Sequence, residues 1–246
     1  MKNIGLLIGI CLLLFSCKKP ENRACWKFIG DTKTKEIAVG NFNQLFLNAH
    51  LEYELIQDST NKLVVIGGEN VINFVDWKIV DGRLEIKNKN KCNFLRDEKK
   101  IIKVEIHCTD IINIRFEGSE PLTSKAQLNF PYFTLLIRDG AGPVNLNLNS
   151  TIINADIAHG WGDYTITGTT QIATIAARSN GFCDTYGLIV TDSIYVSSET
   201  AGNVKVNTNG LPLYGYLKSV GNILYKGNPT SIQILDTGSG SVINDN

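Results

Sequence analysis

Four aspartates in the second half of the sequence could carry acid–base chemistry. Asp139, Asp156, Asp163 and Asp184 recur there, with Arg138, His159 and Arg178 close by. Cleavage of a glycosidic bond needs two carboxyl groups held a fixed distance apart. Aspartates also populate β-turns, where their side chains bond to local backbone, and we favour this structural explanation. We therefore predict no catalytic residues and no enzyme, with a polysaccharide lyase or hydrolase as the alternative.

The segment His159-Gly160-Trp161-Gly162 is predicted to belong to a binding surface. Trp161 occupies a position where the equivalent segments have Ala, Asn, Val or Ser. A tryptophan ring can stack on a sugar or anchor a protein partner, although it can also cap a loop of its own chain. The predicted binding residues are His159, Trp161, Arg178 and Asp139. An aromatic face could extend from them, although several of its members must belong to the core: Tyr195, Tyr214, Tyr216 and Tyr225.

Motifs for metals, cofactors and nucleotides are missing from the sequence. His50, His107 and His159 are isolated and lack HxH or HExxH spacing, and no glycine-rich phosphate loop precedes a lysine. We predict no metal and no cofactor. The 24 Lys and Arg residues balance 24 Asp and Glu residues, which gives no support for a nucleic-acid partner.

The N-terminus has the features of a lipoprotein signal peptide over residues 1–16. Lys2 precedes an apolar run from Ile4 to Phe15, which is short for a transmembrane helix. Leu14-Phe15-Ser16-Cys17 resembles a bacterial lipobox, in which the cysteine becomes the first mature residue and carries the lipid. We predict lipidation of Cys17, attachment to the outer membrane and a place in the cell envelope. An uncleaved anchor or an ordinary signal peptide is the alternative.

Four further cysteines permit two disulfides in an exported protein, with three possible pairings. They are Cys25, Cys92, Cys108 and Cys183, and no CxxC pair occurs among them. Cys183 falls on a predicted core position, where a buried free thiol is equally plausible. The sequence assigns no pairing.

A repeat of about twenty residues organises the second half. Its glycines are spaced 20, 19, 21, 19 and 19 residues apart: Gly142, Gly162, Gly181, Gly202, Gly221 and Gly240. Two positions after each glycine lies a candidate core residue: Val144, Tyr164, Cys183, Val204, Ile223 and Val242. A fixed period with strands and small-residue corners is typical of a β-solenoid, in which each coil pairs its strand edges with the next. An antiparallel sandwich is the alternative, but it does not need one corner repeated at every second strand.

Stacking predicts neighbours between coils. The residues three positions before the glycines include Arg178, Glu199 and Lys218, which would form a ladder of opposite charges. In the first half, short alternating segments within residues 26–116 read as half-buried strands. The lysine-rich run that interrupts them, residues 87–100, is interpreted as a solvated loop, with a basic binding patch as the alternative.

Several segments together resemble the autotransporter-adhesin head domain, or GIN domain, family. They are Phe42–Leu45, Val80–Ile86, Gly202–Val204, Gly221–Pro229 and Gly238–Val242, and the resemblance spans about residues 36–243. It implies an all-β protein with a right-handed β-helix-like body, in which the strands of the first half continue the same solenoid. The predicted organisation is a signal peptide (1–16), a tether (17–35), an N-terminal β region (36–116) and solenoid repeats (117–246), with 36–246 as one domain.

From these features we expect a lipid-anchored, non-enzymatic envelope protein that presents a surface to a protein or glycan ligand. Besides the carbohydrate-active enzyme, a purely structural envelope protein is an alternative that the sequence does not separate from the binding function.

Overall fold

A computed structural model describes residues 28–90 and 101–246. Over these residues the chain is a β-solenoid of about seven turns with about 20 residues in each turn, which confirms the predicted fold class. One short 3-10 turn, Ile72–Phe74, is the helical element in this part of the chain. No helix in the described residues is long and apolar enough to cross a membrane.

Twenty strands, numbered in chain order, build the solenoid. They are β1 (Thr32–Ala38), β2 (Gln44–Asn48), β3 (Glu52–Gln57), β4 (Lys62–Gly68), β5 (Val75–Val80), β6 (Arg83–Asn88), β7 (Lys103–Cys108), β8 (Asn113–Glu117), β9 (Leu122–Ser124), β10 (Leu128–Asn129), β11 (Tyr132–Gly140), β12 (Pro143–Gly160), β13 (Asp163–Ser179), β14 (Phe182–Thr185), β15 (Leu188–Thr200), β16 (Val204–Asn207), β17 (Leu213–Leu217), β18 (Ile223–Lys226), β19 (Ile232–Asp236) and β20 (Val242–Asn244).

Two parallel ladders run along the solenoid, and each coil contributes to both. A third, shorter parallel ladder joins β10, β12, β13 and β15. In the first ladder, the A sheet, β8 pairs with β11, followed by the C-terminal parts of β12, β13 and β15 and then by β17 and β19. In the second, the B sheet, β9 pairs with the N-terminal part of β12, followed by β13, β14, β16, β18 and β20. Coils stacked in this way pair their strand edges at the spacing of about 4.8 Å that β-ladders require.

The long strands turn a corner where their burial alternation changes phase. In β12 the buried residues fall at Val144, Leu146 and Leu148 and then at Ile153, Ala155 and Ile157. Because side chains alternate across a strand, this one-residue shift keeps apolar side chains inward on both sides of the bend. A single strand therefore serves both sheets.

The predicted core positions stack directly on one another. Register pairs join them coil by coil: Val144, Tyr164, Cys183, Val204, Ile223 and Val242. The first five are at most 3% exposed, and Val242 in the last coil is partly buried. The glycine corners stack as well, since a Cβ added to Gly221 would lie 1.9 Å from the carbonyl oxygen of Gly202.

The first half continues the same body, as predicted, but its coils are not stacked in chain order. In the A sheet β2 lies between β6 and β8, and in the B sheet β3 lies between β7 and β9, all in parallel. Strands β4 and β5 then pair antiparallel with β7 and β6, and β1 pairs antiparallel with β4. These antiparallel strands form the end of the solenoid that is distant from the repeats.

Three details of the first half and the cysteines refine the sequence interpretation. Strand β1 begins at Thr32, inside the segment predicted as a tether. The lysine-rich run is not all loop, because β6 extends to Asn88, and Lys87 and Lys89 pair with Asp76 at 3.6 and 2.9 Å. Cys108 and Cys183 are buried free thiols. The predictions for Cys17, Cys25, Cys92 and Arg96–Lys100 lie outside the described residues.

Candidate binding surfaces

Two of the four predicted binding residues are in direct contact at the corner that follows the A sheet. The Nδ1 atom of His159 lies 2.5 Å from Oδ1 of Asp139 on the preceding coil, and Arg138 lies 3.6 Å from the same carboxylate. Both side chains of the first pair are more than half exposed. An exposed pair of this kind adds little to stability. It is therefore available to an external partner.

Trp161 projects into solvent from a rigid corner. Its side chain is 72% exposed, so it does not cap a loop of its own chain. Gly162, the next residue, sits so close to the preceding coil that an added Cβ would lie 2.7 Å from Cγ2 of Ile137. Because the backbone is already fixed there, a partner that binds the indole does not have to order this part of the chain.

Arg178 lies on the outer face of the A sheet and is held by Asp156. Its Nη1 atom is 2.5 Å from Oδ2 of Asp156. The predicted register is confirmed, since Arg178 is the strand partner of Glu199. Glu199 in turn lies 3.7 Å from Lys218. Among the described residues, no hydrogen bond or ion pair joins Arg178 to His159, Asp139 or Trp161, so the structure does not bring all four predicted residues into one bonded cluster.

Three tyrosines form a surface beside this row of charges, which we call the tyrosine face: Tyr195, Tyr214 and Tyr216. Tyr195 and Tyr214 are strand partners and both are exposed. The rings of Tyr195 and Tyr216 meet edge to face with centroids 6.4 Å apart. The hydroxyl of Tyr216 donates to Oε1 of Glu199 at 2.8 Å. Tyr225, the fourth predicted aromatic, packs against the core instead.

The ammonium group of Lys218 also holds the tyrosine face, by contact with the ring of Tyr216. Nζ of Lys218 lies 3.9 Å from the ring centroid of Tyr216, a cation–π contact. Tyr216 is thus held by its hydroxyl, its edge and its ring face at once. Such an ordered aromatic surface loses little side-chain entropy when it binds a partner.

A second surface is a shallow groove of about 280 Å³ on the outer side of the B sheet, which we call the B-sheet groove. It is lined by Asp163, Tyr164, Thr165, Phe182, Cys183, Asp184, Asn203 and Lys205. Phe182 is 53% exposed and is the strand partner of Asp163. Nζ of Lys205 lies 3.3 Å from Oδ2 of Asp184. Phe182 is not among the predicted binding residues, although its place next to the inward-facing Cys183 makes it an outward position.

The four aspartates considered for catalysis are divided among three places. Asp139 contacts His159, Asp156 is bound by Arg178, and Asp163 and Asp184 share the B-sheet groove. Burial raises the pKa of Asp163. In the described part of the chain, no group of three or more His, Cys, Asp or Glu side chains is placed to hold a metal ion.

The sequence of this solenoid matches a known protein family. Residues 41–229 match the family described as "Putative auto-transporter adhesin, head GIN domain". The chain belongs to this family. The match covers more than half of the chain and agrees with the resemblance inferred from the sequence segments. No curated protein matches the chain.

Several solved bacterial structures share the fold of this GIN-domain chain. A crystal structure described as a putative adhesin from Bacteroides fragilis has a TM-score of 0.75 and 23% identity, and covers 87% of this chain and 97% of its own. One described as a putative lipid binding protein from Parabacteroides distasonis has a TM-score of 0.63 and 19% identity, with 88% and 98% coverage. Another, described as a putative adhesin from the same species, has a TM-score of 0.60 and 21% identity, with 87% and 97% coverage. These similarities establish the fold. Membership of the adhesin-head family supports an adhesin-like role for this chain at the cell surface or in the cell envelope.

Proposed function

We propose that this chain is a lipid-anchored, non-enzymatic adhesin of the outer membrane that binds a protein or glycan through the tyrosine face. The observation that carries the proposal is the fixed arrangement of Tyr195 and Tyr216 at 6.4 Å beside Glu199 and Lys218. Tyrosines and arginines are the residue types that dominate protein interfaces. Arg178, at the edge of this surface, adds a charged group that can bond to a partner.

The anchor in this proposal is Cys17, and the neighbouring corner supplies further contacts. Lipid chains on Cys17 would hold the solenoid at the membrane durably, because more than one acyl chain anchors stably. Trp161, with His159 and Asp139, would extend the contact surface around the corner. A partner could then contact aromatic and charged side chains both on the tyrosine face and at the Trp161 corner.

The test is adherence of cells that display the full chain. We expect Tyr195→Ala combined with Tyr214→Ala to reduce binding to the glycans and proteins of an array about tenfold or more, because central aromatic residues dominate interface energies. The matched control is Tyr132→Ala, since Tyr132 is 60% exposed on β11 of the same sheet but lies away from the tyrosine face. Equal losses for both variants, or no ligand retained by the wild type, would contradict the proposal.

Lipidation has its own experiment. Cells fed an alkyne-tagged fatty acid should label the wild-type chain and not Cys17→Ser, and Cys17→Ser should leave the membrane fraction. Cys25→Ser serves as the control, because it changes a nearby cysteine without touching the lipobox. A Cys17→Ser chain that still takes up the label would refute the anchor. Protease treatment of intact cells then shows whether the solenoid faces the outside.

A second candidate, a polysaccharide-cleaving enzyme, is favoured by one observation: Asp163 and Asp184 line the same groove. We rank it second because both oxygens of Asp184 are already engaged. Oδ2 faces Lys205, and Oδ1 accepts the backbone N–H of Tyr186 at 3.0 Å. If the wild-type protein released reducing ends from a polysaccharide and Asp184→Asn did not, the enzyme would become the favoured function.

A further inference from the structure

Asp163 is a carboxylate without a partner in a partly buried place. Among the residues that the structure describes, no hydrogen bond or ion pair engages its side chain, although it lines the B-sheet groove. Burial raises the pKa of this carboxyl group, because its ionised form is less well solvated in the folded protein. Partly desolvated polar groups normally find a bonding partner. A ligand that brings hydrogen-bond donors would supply one.

An aromatic ring lies directly beside this carboxylate. Phe182 is the strand partner of Asp163, and its ring lies against Gly202, whose added Cβ would be 2.9 Å from Cδ1 of the ring. Since Gly202 on the next coil has no side chain, the Cδ1 and Cε1 edge of the ring rests on its backbone, and about half of the Phe182 side chain stays exposed. The exposed ring of Phe182 therefore forms a platform next to the acceptor Asp163.

Further polar groups complete the lining. Asn203, the next residue across the groove, uses Oδ1 to accept bonds from the backbone N–H and the side-chain amide of Asn222 at 3.2 and 3.3 Å. In the described part of the chain its own amide N–H groups have no acceptor. Asp184 and Lys205 form an ion pair, which leaves the carboxylate of Asp163, the amide of Asn203 and the hydroxyl of Thr165 as the unpaired polar groups of the lining among the described residues. It has no cluster of basic side chains for a sulfated or otherwise acidic ligand.

The groove is also rigid. The ring of Tyr186 lies between Lys205 and Lys226, whose Nζ atoms are 5.5 and 4.5 Å from its centroid. Its hydroxyl donates to Oδ2 of Asp245 at 2.6 Å. These contacts hold Lys205, and through it Asp184, in place. The lining spans three neighbouring strands, β13, β14 and β16, which is roughly 10 Å from the first to the third.

From this geometry we propose that the B-sheet groove binds a neutral saccharide, with a sugar ring stacked on Phe182 and its hydroxyl groups donating to Asp163 and accepting from Asn203. An apolar platform beside a few convergent polar groups is the arrangement that orients a small polar ligand. Sugar hydroxyls both donate and accept, so they satisfy the carboxylate and the amide together. The site is separate from the tyrosine face and does not depend on it.

The experiment is affinity electrophoresis of the purified full chain in native gels. Three gels contain a soluble mixed-linkage β-glucan, a xylan or a mannan, and a fourth contains chondroitin sulfate. We expect retardation in at least one neutral gel. Phe182→Ala removes the ring contact that the sugar needs, and Asp163→Asn removes a charged hydrogen bond. Each variant should therefore weaken that binding by about tenfold to a hundredfold.

Control variants separate this site from folding and from the tyrosine face. Ile189→Ala replaces another exposed apolar residue, on β15, and should leave retardation unchanged. The Tyr195→Ala and Tyr214→Ala double variant should also keep full retardation, so loss of the adhesin ligand and loss of the saccharide are distinguishable. Urea midpoints confirm that each variant is folded. Lack of retardation in all neutral gels, retardation only in chondroitin sulfate, or binding that Phe182→Ala and Asp163→Asn leave intact would each overturn the proposal.

Discussion

Arg178 bonds to Asp156 on the preceding coil, although its strand partner on the following coil is Glu199. The choice leaves Glu199 free to accept the hydroxyl of Tyr216 and to face Lys218. The row of charges therefore contains two ion pairs, Arg178–Asp156 and Lys218–Glu199. One of them fixes a partly buried carboxylate, and the other helps to order the half-buried ring of Tyr216.

This division predicts unequal effects of removing the two cations. Asp156 is only 28% exposed, and its Oδ1 atom is buried without a bonding partner, so Arg178→Ala leaves a partly buried carboxylate unpaired. We expect Arg178→Ala to lower the free energy of unfolding by about 1–2 kcal/mol. Lys218→Ala removes a more exposed ion pair and the cation–π contact with Tyr216, and should cost less, about 0.5 kcal/mol. Urea titration of both variants measures the difference.

A double variant checks the cause. If Asp156 left unpaired is what destabilises Arg178→Ala, adding Asp156→Ala should recover part of the lost stability, because the stranded charge is then gone. Additive losses in the double variant would show instead that Arg178 acts through the packing of its side chain.

The repeats were predictable because their period fixes their contacts. In a solenoid each coil touches its neighbours in the same way, so the spacing of Gly142 to Gly240 already determines which residues stack. The register from Val144 to Val242 agrees with that expectation. The first half has no such period. The position of β2 and β3 between strands that come later in the chain depends on long-range pairing, which no local pattern encodes.

The candidate binding surfaces were predictable only in part, because the exposure of a side chain depends on its neighbours in the fold. Trp161 was identified by its unusual position in the repeat, and it is exposed. Phe182 is not among the predicted residues, although the strand alternation places it outward beside the inward-facing Cys183, and the bare backbone of Gly202 leaves room for its ring on the surface. The partner of Arg178 was also missed. A side chain as long as arginine can reach either adjacent coil, and the register alone does not decide between them.

The stacking of the glycine corners gives a second prediction. A Cβ at Gly221 would lie 1.9 Å from the carbonyl oxygen of Gly202 and 2.6 Å from that of Thr200, both of them backbone atoms that cannot move aside. We expect Gly221→Ala to cost about 3 kcal/mol, because the two coils must separate locally. Chemical unfolding followed by circular dichroism gives the value. Gly40→Ala is the control: its nearest atom would be Cδ1 of Ile79 at 3.6 Å, an ordinary contact, so stability should stay the same or rise slightly. A harmless Gly221→Ala would mean that the corners are not in contact.

Thiol reactivity is a third prediction. Burial raises the pKa of Cys108 and of Cys183 to about 12, and both thiols lie in the core. Because the thiolate is the reactive form, neither residue should be alkylated by iodoacetamide at pH 8 in the folded protein. Both should react fully in urea. Mass spectrometry of the peptides that contain Cys108 and Cys183 reads each site separately, and rapid modification of either one under native conditions would contradict its burial.

The unpaired carboxylate of Asp163 makes a fourth prediction, about pH. Burial raises its folded pKa above the ordinary value of 3.8, so between these two values the folded state binds more protons than the unfolded state. Stability from this group must therefore fall as the pH rises from about 3.8 through the folded pKa, and remain lower above it. We expect Asp163→Asn to match the wild type near pH 3 and to be the more stable of the two at pH 7.

Asp76→Asn is the control with the opposite sign. Hydrogen bonding to Lys89, with the charges of Lys89 and Lys87, lowers the pKa of Asp76, so its stabilising contribution is present at neutral pH and is lost on acidification. Relative to the wild type, the urea midpoint of Asp163→Asn should therefore rise between pH 3 and pH 7, and that of Asp76→Asn should fall. If Asp163→Asn were instead the less stable protein at pH 7, its carboxylate would already have a partner within the chain. The B-sheet groove would then not need a saccharide to supply one.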